Sequence, residues 1–361
     1  MGEVFSPRER GRILGFVGAA YAVAAVGGPL VGGLLADGAG WRWVFAIYPP
    51  LGAVAFVVLA RTLHLPRPRV TAPLDYAGAT ALSVAVAGIV LCCLDPSARW
   101  AAIGVAGVVA WALTAGRAAD QILPLRLFRD RGFAVPVAIS FLIGFALFGT
   151  VTYLPAAFQV ATGVTATQAG LLLTALMAGV LVTTVGSGAL ITATGRYRGY
   201  PIAGTAMAAT GLVLLSVYAA AAATVAVVGI LLLIGLGVGL VMQVMALVAQ
   251  NSVAYRDLGT ATSTVTFLRQ IGASVGVAMV GGLIGWRMTD LHDYADAAAS
   301  AFGIVAPLVG IAFVFALLIP ARPLRTTAFV KESSLASSPR SARSAAPTSP
   351  VPAARAPTSA S

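Results

Sequence analysis

Charged residues are scarce in this chain of 361 residues: they make up 10% of it, whereas hydrophobic residues make up 59%. A soluble domain is usually about one-quarter charged, so this chain lacks the polar residues needed to cover a water-facing surface. Apolar stretches of about 20 residues, the length that spans a hydrocarbon core, alternate with short polar segments. Because lipid offers no partners for free backbone groups, the composition indicates an all-α integral membrane protein.

Cysteine and histidine are nearly absent, with two of each. Cys92 and Cys93 are adjacent in an apolar run, so we expect neither a metal site nor a cofactor. His64 and His292 fall on opposite sides of the predicted bilayer without a carboxylate cluster, which argues against an enzyme. The net charge of +11 comes from single arginines and small clusters, not from a basic groove with stacking aromatics, so nucleic acid is not an expected partner.

Hydropathy predicts about ten transmembrane helices. Their expected ranges are 13–36, 42–60, 77–95, 100–116, 133–154, 167–190, 200–220, 224–250, 259–286 and 299–320. The composition changes after residue 322, and residues 323–361 are dominated by Ser, Pro, Ala and Arg. Such a segment buries too little apolar surface to order itself, so we expect a disordered tail.

Arginines predict the orientation, because cytoplasmic loops carry an excess of basic residues. One side of the predicted bilayer collects most of them: Arg8, Arg10, Arg12, Arg61, Arg67, Arg69, Arg117, Arg126, Arg129, Arg131, Arg196, Arg198, Arg256, Arg322 and Arg325. The other side carries Arg42, Arg99 and Arg287. We therefore expect a multi-pass protein of the cell membrane with both termini in the cytoplasm.

The first predicted helix carries a pattern of small residues around a Gly-Pro pair. Its members are Gly15, Ala24, Gly28, Pro29, Gly32 and Gly33. Small residues four apart let another helix approach closely, and Pro29 removes one backbone hydrogen bond. A general small-residue packing seam would produce a similar stripe without needing the Gly-Pro pair.

The run GFVGAAYAVAAVGGPLVGG resembles the antiporter motif on the fifth helix of drug:proton exporters of the major facilitator superfamily, with Ala24 in place of one glycine. The run WRWVFAIYPP is similar to the start of the sixth helix in the fourteen-helix branch. Further blocks resemble that branch in order, to about residue 320: PLDYAGA, LPLRLFRDRGFA, TVTYLPAAFQ, TGVTATQAGLLL and RDLGTATSTVTFLRQIGASVGVA.

The resemblance implies a partial major-facilitator fold that lacks the first four helices. Residues 1–60 would hold the last two helices of the N-terminal half, and 61–132 two linker helices. Residues 133–322 would hold the complete six-helix C-terminal half. The family's cytoplasmic loop motif is degraded at Gly188, Thr192, Ala193, Gly195, Arg196 and Tyr197, where its acidic member is missing. Arg196 and Arg198 are left to contact lipid head groups or a helix terminus.

The resemblance also implies a function, which is proton-coupled efflux of small apolar or cationic molecules through the lipid bilayer. Proton coupling normally needs a carboxylate whose pKa is raised by low-dielectric surroundings. All twelve acidic residues fall in loops, at helix ends or in the tail. Either the coupling group lies outside this chain or the chain does not couple to protons. A truncated or split transporter, inactive on its own, is the alternative reading.

Polar groups inside the predicted spans are the candidates for the translocation path. Arg269, with Gln270 beside it, lies about 15 Å along its helix at 1.5 Å per residue. The alternative for Arg269 is an arginine whose side chain snorkels to the cytoplasmic interface. The alternative for Gln243 is a hydrogen bond between helices. Gln159 is expected either to belong to a gate at the outer end of its helix or to lie at a plain helix terminus. Phe145 belongs to a row with Phe141 and Phe148 that fits either an apolar substrate or ordinary packing.

Overall fold

The computed structural model describes residues 7–62, 75–115, 121–218, 224–288, 290 and 293–320. At residues 7–22, 192, 224 and 255 the backbone alone is described. His64, His292 and the tail from 323 to 361 lie outside the described residues, so the expectations made for them remain predictions.

Eleven α-helices make up almost all of the described chain, which contains no strand. They are α1 (Pro7–Gly38), α2 (Arg42–Ala46), α3 (Tyr48–Thr62), α4 (Tyr76–Leu94), α5 (Ala98–Ala115), α6 (Arg131–Thr162), α7 (Ala166–Thr194), α8 (Gly199–Tyr218), α9 (Thr224–Asn251), α10 (Leu258–Arg287) and α11 (Tyr294–Leu317). The predicted all-α membrane fold is confirmed.

Nine segments of the described chain are long and apolar enough to cross a membrane. One of them, Arg42–Thr62, combines α2 and α3, which are separated at Ile47. The remaining predicted span corresponds to α1, whose 32 residues extend for about 48 Å at 1.5 Å per residue. α1 stays helical through Pro29, and α6 stays helical through Pro136 and Pro155.

The core lies among α6 to α11. α6 packs against α9, α10 and α11, while α9 also packs against α7 and α8. Large side chains with almost no exposure fill this bundle, including Phe133, Leu176, Leu231, Met245 and Phe302. Two further pieces attach to its outside: the α4–α5 hairpin contacts α10, and α1 contacts α7. α3 has no buried residue in the described chain.

The carboxylates sit at the helix ends. Asp75 accepts a hydrogen bond from the Gly78 amide at 2.8 Å, and Asp130 accepts one from the Gly132 amide at 2.8 Å. Both act as N-caps, which satisfy amides that have no partner in the first helical turn. Asp257 precedes α10, and Asp296 lies in the first turn of α11. No acidic residue lies in the middle of a described span, as the sequence predicts.

Candidate functional site

α1 meets the bundle along a seam of small residues on α7. A Cβ added at Gly33 would lie 2.6 Å from the Ala166 carbonyl oxygen, and one added at Gly170 would collide with the Pro29 carbonyl. The Thr174 hydroxyl donates to the Val26 carbonyl at 3.2 Å, so the two backbones nearly touch over more than one turn. Contact this close needs glycine at the crossing points.

Asp37 closes the seam at one end, which we call the Asp37 end of the bundle. Its carboxylate accepts hydrogen bonds from the Ala166 amide at 3.1 Å and from the Thr167 amide at 2.7 Å. The Thr167 hydroxyl donates to the same carboxylate at 2.6 Å. Asp37 therefore caps α7 from another helix, and the positive end of the α7 dipole favours its charge.

The small-residue motif of α1 divides between two faces. Pro29 and Gly33 lie against α7, whereas a Cβ added at Gly28 or Gly32 would meet nothing within 4 Å. Ala24 is exposed. Gly15 lies in the part of α1 for which the backbone alone is described. Beyond the part of α1 with the backbone alone described, Pro29 and Gly33 take part in the close approach, and Ala24, Gly28 and Gly32 do not.

A second glycine seam joins α10 to α6 and places Arg269. A Cβ at Gly144 would meet the carbonyl oxygen of Arg269, and the Arg269 Cγ would lie 2.9 Å from it. Gly272 and Gly276 continue the seam against the carbonyls of Phe141 and Phe145. Arg269 is therefore half-buried, with the start of its side chain packed against α6.

The structure separates the candidate path residues. Gln270 follows Arg269 but lies on the side of α10 that faces α4. Gln243 is exposed on α9, and Gln159 donates its side-chain amide to the Pro155 carbonyl at 3.2 Å. Phe145 is buried in the bundle, whereas Phe148 is 37% exposed. These side chains do not line one common cavity among the described residues, and their role in transport remains a prediction.

An ion pair holds the segment between α5 and α6, which we call the linker, to the bundle. The pair lies at the end of the bundle opposite Asp37, which we call the Arg126 end. Arg126 Nη1 lies 3.1 Å from Asp257 Oδ2, and Nη2 contacts Oδ1 of the same carboxylate. Asp257 is buried and Arg126 is half-exposed. Hydrogen bonds from the Arg126 guanidinium lower the pKa of the Asp257 carboxyl below its ordinary value of 3.8. Neither hydropathy nor a motif predicts this pairing.

At the degraded loop motif, two side chains donate hydrogen bonds to backbone carbonyls at the end of α11 and beyond it. Gly195 ends α7 in a left-handed conformation with φ of 68°. The buried Tyr197 donates its hydroxyl to the Pro320 carbonyl at 3.0 Å. Arg198 donates to the Leu317 carbonyl at 3.0 Å, the last residue of α11. Of the two expected partners for Arg198, the helix terminus is the one observed, where a cation is favoured by the helix dipole.

A helical bundle with nine apolar segments long enough to cross a membrane, and with no acidic residue in the middle of a described span, has the features of a multi-pass membrane protein. The model of the Major Facilitator Superfamily matches residues 1–277. The chain belongs to this superfamily of transporters, as its motifs predict.

Three relatives show what the chain is similar to. An MFS-type transporter of Mycobacterium tuberculosis (strain H37Rv) is 37% identical over 292 residues, which cover 78% of this chain and 42% of that protein. The multidrug transporter protein MdtP of Bacillus subtilis (strain 168) is 30% identical over 301 residues, covering 81% and 56%. An efflux pump of Gibberella fujikuroi is 30% identical over 295 residues, covering 77% and 53%. The chain spans about half the length of the relatives it matches.

Proposed function

We propose that this chain works in a proton-coupled efflux transporter that moves small apolar or cationic molecules outward by alternating access. The observation that carries the proposal is the seam between α1 and α7. Alternating access needs two helical bodies that rock against each other around a fixed site. A helix from outside the six-helix bundle, packed backbone to backbone and closed by Asp37 at one end, supplies an interface of that kind.

The direction of transport is proposed from the relatives. MdtP is named a multidrug transporter and the Gibberella protein an efflux pump. The orientation is proposed from the arginines: Arg126 and Arg131 lie beside the starts of α6 and α10, and Arg287 lies at the opposite end of α10. With the Arg126 end in the cytoplasm, both termini are cytoplasmic and the positive-inside rule is satisfied.

Proton coupling is proposed to depend on carboxylates outside the described residues. Asp75 and Asp130 cap helices, and Asp257 pairs with Arg126 and has a lowered pKa. A coupling group needs the opposite shift, so that it loads and releases a proton near neutral pH. The chain would then work together with helices that supply such a group.

The test is dye efflux from proteoliposomes, with this chain compared with a version extended by the coding sequence upstream of Met1. Export that collapses on adding a protonophore would support proton-coupled efflux. Export that persists would remove the proton from the mechanism. The transport proposal would be contradicted if loaded liposomes that contain this chain or the extended version retain as much dye as liposomes without protein.

A second candidate function is a fragment that folds but does not transport by itself. The observation that favours it is α3, an apolar helix of 15 residues without a buried residue. An apolar helix that buries none of its residues in the described chain is suited to packing against further helices. In the same assay, this reading expects no efflux from the chain alone and efflux from the extended version.

A further inference from the structure

An open groove of about 550 Å³ lies between the linker helix α4 and the bundle helix α10. This volume falls within the range of small-molecule sites, which is about 300–1,000 Å³. Most of its walls are apolar, and they include Leu82, Val86 and Val90 on α4 and Phe267 and Ile271 on α10. No charged side chain of the described chain lines it.

Gln270 faces this groove because of how α10 packs on α6. Arg269, Gly272 and Gly276 lie against α6, so the residues on the other side of α10 face α4. Phe267, Gln270 and Ser274 are spaced three and four residues apart and share that face. The glycine seam thus fixes the rotation of α10, and this rotation turns the side-chain amide of Gln270 toward the groove.

The polar groups of the groove differ in what they bind. The Ser83 hydroxyl donates to the Ala79 carbonyl at 2.9 Å, and the Ser274 hydroxyl donates to the Gln270 carbonyl at 3.1 Å. Both serines are therefore satisfied within their own helices. The side-chain amide of Gln270 makes no hydrogen bond to any residue that the structure describes. An amide without a partner is costly in an apolar medium, which favours a ligand with a hydrogen-bonding group.

The depth of Gln270 argues for a small molecule and against a bilayer lipid. Gln270 lies 12 residues after Leu258, the first residue of α10, or about 18 Å along the axis. The full bilayer is about 40–45 Å thick, of which about 30 Å is hydrocarbon. The amide therefore lies inside the hydrocarbon layer, deeper than the ester groups of a phospholipid at the interface.

We infer that the groove between α4 and α10 binds a neutral amphiphilic small molecule dissolved in the bilayer, with its apolar body between the two helices and a carbonyl or hydroxyl on the Gln270 amide. The inference rests on the proposed function, since this molecule would be an export substrate entering sideways from the membrane. A cation is disfavoured because no carboxylate lines the groove.

The probe is a matched pair of dyes with photoreactive diazirine tags: Nile red, which is neutral and carries a carbonyl, and its cationic counterpart Nile blue. The full chain in proteoliposomes is irradiated with either dye, and adducts are mapped by peptide mass spectrometry. We expect Nile red to label the α4 and α10 peptides saturably, with competition by untagged Nile red. Nile blue should give no saturable label there.

Three variants sharpen the test. Gln270→Leu removes the amide at similar size and should weaken Nile red labelling roughly three- to tenfold, as expected for one hydrogen bond. Ala87→Trp fills the groove from an exposed position of α4 that lines it and should abolish the label. Val84→Trp is the matched control, because Val84 is exposed on the same helix but does not line the groove. It should label like the unmodified chain.

Each other occupant gives a distinct result that overturns the inference. Unsaturable label spread over all exposed helices would indicate simple partition into lipid. A phospholipid that co-purifies with the unmodified chain and is lost in Ala87→Trp would assign the groove to lipid. Crosslinking between copies at this groove would make it an interface. Dye efflux without groove labelling would contradict this inference alone, whereas saturable labelling without efflux would contradict the proposed transport alone.

Discussion

Arg126 and Asp257 lie 131 residues apart in the sequence and form a two-contact ion pair that joins the linker to the start of α10. Asp257 is also 3.7 Å from Arg256, but Arg256 is 80% exposed and its contact is single. The two-contact geometry makes Arg126 the stronger partner. The pair anchors a segment that would otherwise be held to the bundle through α4 and the contacts of Phe128 and Phe133.

We predict that Arg126→Ala lowers the thermal unfolding midpoint of the purified protein by a few degrees, because it leaves a buried carboxylate without its main partner. Arg126→Lys should recover part of the loss, since lysine keeps the charge but not the two-point geometry. Arg129→Ala is the control, because Arg129 lies in the same turn and is exposed. An equal loss in the Arg129 variant would contradict a specific role for the pair.

The same pair predicts a pH dependence. The Asp257 pKa is lowered in the folded state, so its contribution is present above the unfolded pKa of about 3.9. That contribution is lost as the pH falls from there through the lower, folded-state pKa. The unfolding midpoint should therefore drop between about pH 5 and about pH 3 by more in the unmodified chain than in Asp257→Asn. Parallel pH profiles of the two proteins would rule this out.

The close contact between α1 and α7 predicts that a larger side chain at the seam separates the two helices. Gly33→Leu should separate α1 from α7 and cost at least about 1–3 kcal/mol, because the added side chain meets the backbone of Ala166 and Thr167. Gly27→Leu is the control, since a Cβ there meets nothing within 4 Å. The measurement is the yield of disulfide crosslinking between cysteines placed at Val26 and Thr174, with Cys92 and Cys93 replaced by serine. Unchanged crosslinking in Gly33→Leu would be inconsistent with the seam.

We predict that Asp37 limits access of water-soluble reagents to the seam between α1 and α7. Asp37→Ala removes three hydrogen bonds to the start of α7 and should loosen that end. A cysteine at Thr174 in a background without Cys92 and Cys93 should then react faster with a water-soluble maleimide, by several-fold. Asp95→Asn is the control, because Asp95 pairs with Arg99 in an exposed contact outside the seam. If both variants react alike, Asp37 does not hold the end closed.

We predict that replacing Arg269 impairs transport without impairing insertion into the membrane. We expect Arg269→Ala to reduce dye efflux by at least tenfold while the amount of protein in the membrane stays the same, because a charge at this depth is retained at a cost. Arg287→Ala changes the exposed arginine at the other end of α10 and should transport normally. Normal efflux in Arg269→Ala would reduce Arg269 to a packing role against Gly144.

The sequence predicted the helices well because hydropathy is a local property. The predicted span 259–286 corresponds to Leu258–Arg287, and 224–250 to Thr224–Asn251. The partners of polar residues were not predictable in this way. Arg126 and Asp257 lie in different loops. Arg269 contacts α6 and Gln270 faces α4 because of how α10 is rotated on α6. Helix rotation depends on packing, which a single sequence does not encode in its hydropathy.

Charges confined to helix ends have an electrical consequence. Within the described spans, Arg269 is the charge farthest from a helix end. Moving one elementary charge through the whole membrane potential involves about 2.3 kcal/mol per 100 mV, and proportionally less for a shorter displacement. A step that displaces Arg269 across part of the bilayer would therefore respond to voltage. Where the other described helices carry charged side chains, these lie near helix ends, so the same movement would carry less charge through the hydrocarbon layer.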